Sequence, residues 1–302
     1  MAADLTTDFS RSADVRSAVY ELTLADRSIL SPELYPQFLY AGSVAGLGTQ
    51  TLRVARYGLG QDAFTTKASG AATEDDDVAN TAFTDTSVTI SVDRHSLSYD
   101  FTSIALDTDP VLGLQTMYQS MLVDAGRFLT NAACGLAAGW SNVVGSTGVE
   151  MSLSTFLAAI NKLEAANVPG PYLAVLHPNQ WRGIRAEHLL SVGGAAQFVP
   201  AEATVSGATG YKGKLFGVDV FVSTNIPLSG SDRQGMMIGK SAVVFADMQP
   251  TIIDPVRQAA LGRTKLEFDR VPGSDIDEVH AHTYFGIAEF EDARGVQILS
   301  KN

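Results

Sequence analysis

The chain has 302 residues, of which 45% are apolar and 18% are charged. This length and composition allow a sizeable core and exclude an intrinsically disordered protein. Its 33 acidic and 21 basic residues give a net charge of −12. That charge disfavours sequence-specific binding of DNA or RNA, because an acidic surface repels phosphate groups.

The single cysteine, Cys134, excludes an internal disulfide and a zinc site built from several thiolates. We expect it to be a buried free thiol. The N-terminal residues lack the apolar segment of a signal peptide, and no apolar run approaches the ~20 residues that cross a bilayer. These features predict a soluble protein of a reducing cytoplasm.

The first third of the chain predicts two extended features. Residues 1–48 predict an arm, because prolines and glycines interrupt one weakly helical stretch. Residues 49–101 predict a projecting hairpin, since residues 51–56 and 88–101 alternate apolar and polar side chains as strands do. The segment between these strands is too polar to bury a core. Because isolated two-stranded ribbons are marginal in water, we expect the hairpin to rest on a neighbouring subunit.

A long helix follows the hairpin. Asp109 and Pro110 predict its N-terminus, with a side-chain acceptor at the N-cap and a proline at the first position. Apolar residues then recur at spacings of three and four over about thirty residues, which predicts a rod of roughly 45 Å that ends near Gly139 and Trp140. The predicted buried stripe is Leu114, Tyr118, Met121, Ala125, Phe128, Ala132 and Leu136.

The second half of the chain predicts one further amphipathic helix and then short strands. The helix covers residues 153–167, with an apolar face of Phe156, Leu157, Ile160 and Leu163. Strand patterns follow at 172–177, 214–223, 235–239, 242–247, 264–270 and 279–299. The last of these predicts a pair of antiparallel strands that reverses near Asp292 to Gly295.

Two segments carry a resemblance to a known family, the tailed-phage capsid proteins with the fold named for phage Hong Kong 97. LAVLHPNQWRGIRAEH, residues 173–188, resembles that family's strand that opens a helix through an aromatic residue, with Pro178 in the first turn and Trp181 and Ile184 expected to face the sheet. GKLFGVDVFVSTNIP, residues 213–227, resembles the run near the symmetry axis. There Gly217 is expected to supply a turn, and Val218, Val220 and Val222 are expected to share one apolar face.

The order of the predicted elements and the closing strands, Thr264 to Leu299, resemble the same family. The resemblance implies an α+β fold with an N-terminal arm at 1–48 and an extended hairpin loop at 49–101. It implies a peripheral domain at 102–150 and 246–302, which carries a spine helix and the closing strands, and an axial domain at 151–245. Loops around residues 193–210 would then meet at local symmetry axes.

The function implied by the resemblance is that of a major capsid protein. Many copies would form hexamers and pentamers of an icosahedral shell around double-stranded DNA, which is enclosed without specific binding. The shell would assemble in the bacterial cytoplasm and remain in the virion, without a membrane or a cofactor. About fifty residues precede the hairpin, whereas relatives with a built-in scaffold carry about a hundred more, so we expect a separate scaffolding protein, a portal and possible decoration proteins. An encapsulin-type nanocompartment shell is the alternative with the same fold.

Three short segments partly match motifs of enzymes or ion-binding sites. Gly58, Gly60 and Ala63 match a dinucleotide-binding spacing, but no helix pattern follows to bind the phosphate. The sequence 239–241 resembles the end of a phosphate-binding loop, yet Gln234 occupies the position of its first glycine, and a turn between strands is expected. Acidic residues 74–77 lack the spacing of a calcium loop, so they predict a solubilising cluster.

Two further candidates remain. Some relatives crosslink a hairpin lysine, and Lys67 lies in the hairpin, but no partner asparagine or catalytic glutamate is matched, so we expect a solvated side chain. His280 and His282 share one strand face and would suit a metal, although no third ligand is spaced near them. A metal-dependent hydrolase is therefore a remote alternative, and we expect no enzyme and no catalytic, cofactor-binding or metal-binding residues.

Overall fold

The computed structural model describes residues 37–57, 85–102, 112–190, 198–200, 211–253, 258–261, 263–270 and 276–302. The predicted arm up to residue 36, the hairpin tip, the Asp109–Pro110 helix start and most of the 193–210 loops lie outside these residues. Three α-helices and sixteen strands are described, so the fold class is α+β as predicted.

The helices are α1 (Leu112–Gly135), α2 (Leu153–Ala165) and α3 (Pro178–Leu190). The strands are β1 (Leu39–Ser43), β2 (Thr51–Tyr57), β3 (Asp85–Ser91), β4 (Asp93–Thr102), β5 (Val143–Gly145), β6 (Leu173–Leu176), β7 (Phe198–Pro200), β8 (Tyr211–Leu215), β9 (Val218–Val222), β10 (Leu228–Ser229), β11 (Asp232–Ile238), β12 (Val243–Asp247), β13 (Gln258–Leu261), β14 (Thr264–Arg270), β15 (Ile276–Glu289) and β16 (Gly295–Lys301). Short 3-10 turns cover Leu136–Gly139 and Asp292–Arg294.

The first sheet has six strands around the long strand β15. Antiparallel β4 pairs with one edge of β15, and the other edge is shared by β14 and then β12. Phe285 marks this arrangement, because it lies opposite Asp93 on one side and Asp247 on the other. β1 adds in parallel to β12, and β13 adds antiparallel to β14. The long strand thereby joins segments that are far apart in sequence.

Helix α1 packs on this sheet, with Met121 and Leu122 against Leu266, Val279 and Ala281. Its 24 described residues correspond to a length of about 36 Å, so a long helix is confirmed, although it is shorter than the predicted rod because a 3-10 turn replaces its last predicted turn. The predicted stripe was partly wrong. From Ser120 onward, where burial is described, the buried residues are Met121, Leu122, Leu129, Thr130, Ala133, Cys134 and, in the following turn, Ala137, whereas Phe128 is 47% exposed. The predicted stripe residues Leu114 and Tyr118 lie outside the residues whose side chains are described. Two adjacent stripes on this helix are apolar, and contact with the sheet selected between them.

The second sheet has eight strands in the order β5-β16-β11-β6-β9-β8-β7, with β10 paired to β11. Helices α2 and α3 cover one face. There Phe156, Leu163, Trp181 and Ile184 pack with Val218, Val220 and Val222 in one cluster, as the alternation predicted. The end of α1 and Trp140 cover the other face, where Phe221 points. Both faces of the second sheet are therefore buried.

The helix α2 is two residues shorter than predicted. Ser152 caps its first turn by accepting from the Thr155 amide at 3.1 Å, and Asn167 has a φ of 54° just beyond its end. Leu157 is 42% exposed, so it lies outside the buried face assigned to it. Gly217 has a φ of 80° in the tight connection from β8 to β9, which confirms the predicted turn.

Two strand predictions need correction. The pattern at 88–101 is one continuous run in the sequence, but the structure divides it at Val92 into β3, which pairs with β2, and β4, which pairs with β15. The Val92 side chain is buried and its amide donates to the Gln50 carbonyl oxygen at 2.9 Å. This interaction anchors the chain at the point where it changes sheets.

The closing segment is also two strands, but they do not pair with each other. The chain turns at Asp292–Arg294, as predicted, and then passes from the six-stranded to the eight-stranded sheet, where β16 pairs with β11 and β5. Both β5 and β16 come from the ranges predicted for the peripheral domain. They nevertheless extend the eight-stranded sheet, whose other strands lie in the range 151–245 that was predicted to form the axial domain. The predicted domain ranges stay a prediction about the assembled protein.

Candidate assembly surface

The hairpin stem packs on the first sheet along one of its faces. β2 and β3 pair from Thr51 opposite Ser91 to Tyr57 opposite Asp85 as a separate two-stranded sheet. One face of the stem packs on the first sheet through a mixed cluster of Leu52, Val54, Val88 and Ile90 with Val244 and Ala246. The side chains of Arg53 and Arg56 are exposed, and Arg56 donates to the Phe290 carbonyl oxygen at 3.2 Å. The described part of the stem is therefore held to the first sheet both at its base and near Arg56.

Strand β4 presents a long edge. Its ten residues pair with β15 along one side, and in the described part of the chain no strand pairs with the other side. Asp93, Arg94, Ser96 and Ser98 are exposed along this strand. Unpaired strand edges bind other strands, and charged side chains on them restrict which strands can pair. Among the described strands that pair on one side only, β4 is the longest.

Half-exposed apolar side chains add to this surface. Phe128 of α1 contacts His95 and Phe285, with ring centroids 4.8 and 5.9 Å away. Other large apolar residues are exposed without lying in a core, among them Tyr40, Leu47, Val149, Leu228 and Ile253. The sequence did not predict that these residues are exposed, because hydropathy alone does not distinguish an apolar residue at a surface from one in a core. Their spacing carries no signal that would have found them.

The histidine pair lies on the face of the first sheet opposite α1. The His282 ring contacts Glu267 Oε2 through Nε2 at 3.1 Å and Ser96 Oγ through Nδ1 at 2.8 Å. Burial lowers the pKa of His282, and this effect exceeds the opposing influence of Glu267. The neutral ring then donates from Nε2 to the carboxylate and accepts at Nδ1 from the serine hydroxyl.

The charged side chains around His282 form ion pairs and hydrogen bonds with one another. A hydrogen bond from Lys265, whose Nζ lies 2.5 Å from Glu267 Oε1, holds the pKa of Glu267 below its usual value. His280 stacks parallel to His282 at a centroid distance of 6.0 Å and lies 3.2 Å from Glu278 Oε2. Over the described residues, no three His, Cys, Asp or Glu side chains form a group able to hold a metal ion. Each ring of the pair therefore contacts a carboxylate of the same sheet, His280 that of Glu278 and His282 that of Glu267.

The remaining sequence candidates have structural roles or lie outside the described residues. Residues 239–241 form the turn between β11 and β12, in which Gly239 N donates to the Arg294 carbonyl oxygen and Ser241 N to that of Gln37. Those amides are therefore not available to an anion. Cys134 is fully buried, as predicted, and burial raises its pKa to about 12. Outside the described residues lie Gly58, Gly60, Ala63, Lys67 and the acidic run 74–77.

No protein-family model matches the chain, and no curated protein matches it either. Several solved structures, however, are similar to the chain. A chain from a structure of Mycobacterium phage Che8 is 16% identical, with 84% of this chain and 87% of that chain covered and a TM-score of 0.57. The acid-stable capsid of Helicobacter pylori bacteriophage KHP30 is 13% identical over 91% of this chain and 92% of that chain, with a TM-score of 0.57.

An encapsulin is similar to the same extent. The holo-SrpI encapsulin complex from Synechococcus elongatus is 12% identical over 90% of this chain and 88% of that chain, with a TM-score of 0.61. None of the described helices is long and apolar enough to cross a membrane. The anchored hairpin, the long helix on a six-stranded sheet and the second mixed sheet give the chain the Hong Kong 97-type capsid fold, which tailed-phage capsid proteins and encapsulins share.

Proposed function

We propose that this chain is the major capsid protein of a tailed bacteriophage, a subunit that assembles into hexamers and pentamers of an icosahedral shell around double-stranded DNA. The observation that carries the proposal is the fold, which matches the KHP30 capsid chain over nine tenths of both chains. The role is structural and needs no catalytic residue, cofactor or metal.

Association would use features that a single copy leaves incomplete. The hairpin stem is a two-stranded ribbon, which by itself is marginal in water, and β4 offers a ten-residue edge. Exposed apolar residues such as Ile253, with 84% of its surface accessible, favour contact with other subunits. In a closed symmetric shell each such contact repeats in every subunit, so individually weak contacts add to a cooperative assembly.

The charge of the chain accords with non-specific enclosure of DNA. A net charge of −12 disfavours tight adhesion to phosphate, so the genome would be held by confinement within the shell. The proposed partners are further copies of the chain, a separate scaffolding protein, a portal and possible decoration proteins. Assembly would take place in the host cytoplasm, and the protein would remain in the virion.

A nanocompartment shell is the second candidate, and the encapsulin match favours it. The TM-score of 0.61 to that shell is slightly higher than the scores of 0.57 to the two phage chains. The two candidates share every surface described above and differ in what the shell encloses. The contents of purified particles therefore distinguish them.

The test is expression of the chain alone and together with its neighbouring open reading frames, followed by size-exclusion chromatography and negative-stain electron microscopy. Icosahedral particles or capsomer rings are expected, and their diameter gives the copy number. Nuclease-protected genomic DNA in particles from phage lysates supports the capsid function. Particles that contain a co-purifying protein and no DNA support the nanocompartment, and a monomer under every condition overturns both.

A further inference from the structure

A groove lies beside helix α3, on the outer side of the cluster that covers the second sheet. It has a volume of about 590 Å³ and is lined by Pro178, Trp181, Arg182, Arg185, Ala186, Lys212 and Val222. Trp181 and Val222 are nearly buried and form an apolar floor. The three cations surround that floor, although the chain as a whole is strongly acidic.

Local geometry brings the three cations together. Arg182 and Arg185 are three residues apart in α3 and therefore lie on the same side of the helix. Lys212 lies in β8 where the pairing with β9 is interrupted between Tyr211 and Gly213, so a bulge sets the position of its side chain. The groove thus combines residues from two elements that are separate in sequence.

The charges in the groove are largely uncompensated. Arg182 is 3.5 Å from Glu150, but about 70% of both side chains is exposed, so this ion pair contributes little. For Arg185 and Lys212, no acidic partner lies within 4.0 Å among the residues that the structure describes. Lys214 in the same strand is paired with Asp219, which also accepts from the Tyr211 hydroxyl.

We propose that this groove binds the acidic run Glu74–Asp77 of a neighbouring copy of the chain. The inference rests on the proposed function, because the occupant belongs to another subunit of the shell. Four consecutive carboxylates form the densest charge in the sequence, and Val78 and Ala79 follow them directly. Carboxylates on the rim and small apolar side chains on the floor would complement the groove in both charge and hydrophobicity.

The length of the hairpin sets the maximum reach of the acidic run. An extended chain spans at most about 3.5 Å per residue, so Glu74 lies within roughly 40 Å of Asp85, where β3 begins. The apolar floor favours a peptide over a nucleic acid, because Trp181 is only 7% exposed and its ring is too enclosed for a base to stack on it. Phosphate is therefore the less suitable occupant, although it shares the attraction to cations.

The first test does not require assembly. A synthetic peptide of residues 71–82, labelled with a fluorophore, is titrated against the unassembled chain at low and high salt. Binding is expected to weaken with salt and to fall about tenfold or more in Arg185→Glu/Lys212→Glu. The matched control, Arg53→Glu/Lys301→Glu, changes the net charge equally on exposed strands and is expected to bind as the wild type does. Equal binding by both variants would overturn the proposal.

The second test uses assembled particles. The groove variant and Asp75→Lys/Asp76→Lys are each expected to lower particle yield about tenfold, and their combination is expected to restore it within about twofold because the charges are exchanged. Thermal unfolding of each unassembled chain checks that the variants fold. If all variants assemble like the wild type, the inference fails while the proposed shell function stands. If the wild type binds the peptide but forms no particles, the shell function fails and the groove assignment stands.

A disulfide gives a readout that folding defects do not imitate. Ala186→Cys and Val78→Cys in one chain are expected to form covalent multimers in oxidised particles, seen as a ladder on a non-reducing gel. Cys134 does not interfere, since it is buried. Monomers alone on that gel would contradict a contact between copies. Normal assembly of the groove variant with reduced DNA content would assign the groove to phosphate and likewise overturn the proposal.

Discussion

Gly286, in the long strand β15, lies directly against the backbone carbonyl of Ser91 at the end of the hairpin stem. A Cβ on Gly286 would overlap that carbonyl oxygen and would also press on the Ile90 side chain. The close approach lets the base of the hairpin pack on the sheet, where Ile90 is 1% exposed. One missing side chain in β15 therefore sets the position of an element that begins more than two hundred residues earlier.

Gly286→Ala is predicted to destabilise the unassembled chain by roughly 1–3 kcal/mol, because backbone atoms of the stem must move to admit the methyl group. Urea denaturation followed by circular dichroism measures this change. Gly135→Ala is the control. Gly135 has helical φ and ψ angles with open space at its Cβ position, so alanine there is expected to stabilise by about 0.5–1 kcal/mol. A neutral Gly286→Ala would contradict the close contact.

Gln180 joins three segments of the second sheet through its buried amide. Its Oε1 accepts from His177 N at 2.9 Å, and its Nε2 donates to the carbonyl oxygens of Arg233 and Ile298, each at 3.2 Å. Gln180→Leu is predicted to destabilise the chain, since each buried group left without a partner costs roughly 1–3 kcal/mol. Gln180→Glu keeps the acceptor but loses both donors and buries a charge, so it is expected to cost more than leucine.

The same denaturation assay measures both Gln180 variants. Asn161→Ala, on the exposed side of α2, is the control for loss of a polar side chain and is expected to change stability little. If Gln180→Leu is as stable as the wild type, the amide does not hold β11 and β16 to the start of α3.

Acid is predicted to weaken the fold through His177. Burial, assisted by the positive charge of Arg233, lowers the pKa of His177 to about 4 from an ordinary value of 6.5. Between these values the unfolded chain binds more protons than the folded chain, so stability falls as the pH drops from 6.5 towards 4. His282, whose pKa burial also lowers, acts in the same direction.

His177→Asn isolates this contribution. The Nδ1 atom of His177 accepts from Asn179 N at 3.2 Å, and an asparagine oxygen takes that place without titrating. The variant is expected to lose less stability than the wild type between pH 7 and pH 5. This pH window lies above the ordinary pKa of Glu267. Protonation of Glu267, whose pKa is lowered in the folded chain, therefore reduces stability only at lower pH. Parallel stability curves for the two proteins would show that His177 titrates normally.

Cys134 is predicted to be inert in the folded chain. Burial raises its pKa to about 12 from 9.0, which leaves about a thousandfold less thiolate at a given pH below both values. A chromogenic disulfide reagent is expected to react with it only after unfolding in guanidinium. Ala186→Cys, at an exposed position of α3, supplies the accessible control thiol. Rapid reaction of the native wild-type thiol would contradict its burial.

Local patterns in the sequence predicted those parts of the fold that depend on residues close together in the chain. The period of three and four predicted α2, and the alternation of valines predicted which face of β9 is buried. The resemblance of residues 173–188 to the capsid family indicated α3, with Trp181 and Ile184 on the sheet side. Gly217 predicted the turn between β8 and β9, because a positive φ is a property of a single residue. A capsid-type fold could thus be expected from the order of these elements.

Most of the elements, the acidic balance and the buried thiol follow from the sequence alone, since each depends on composition or on residues a few positions apart. Tertiary structure alone decided which partner each strand takes. It divided 88–101 between two sheets at Val92, separated β15 from β16, and turned Phe128 outward beside His95. It also brought Arg185 and Lys212 to one groove. Hydrogen bonds between strands and contacts across a sheet join residues far apart in the chain, and neither periodicity nor composition specifies such pairs.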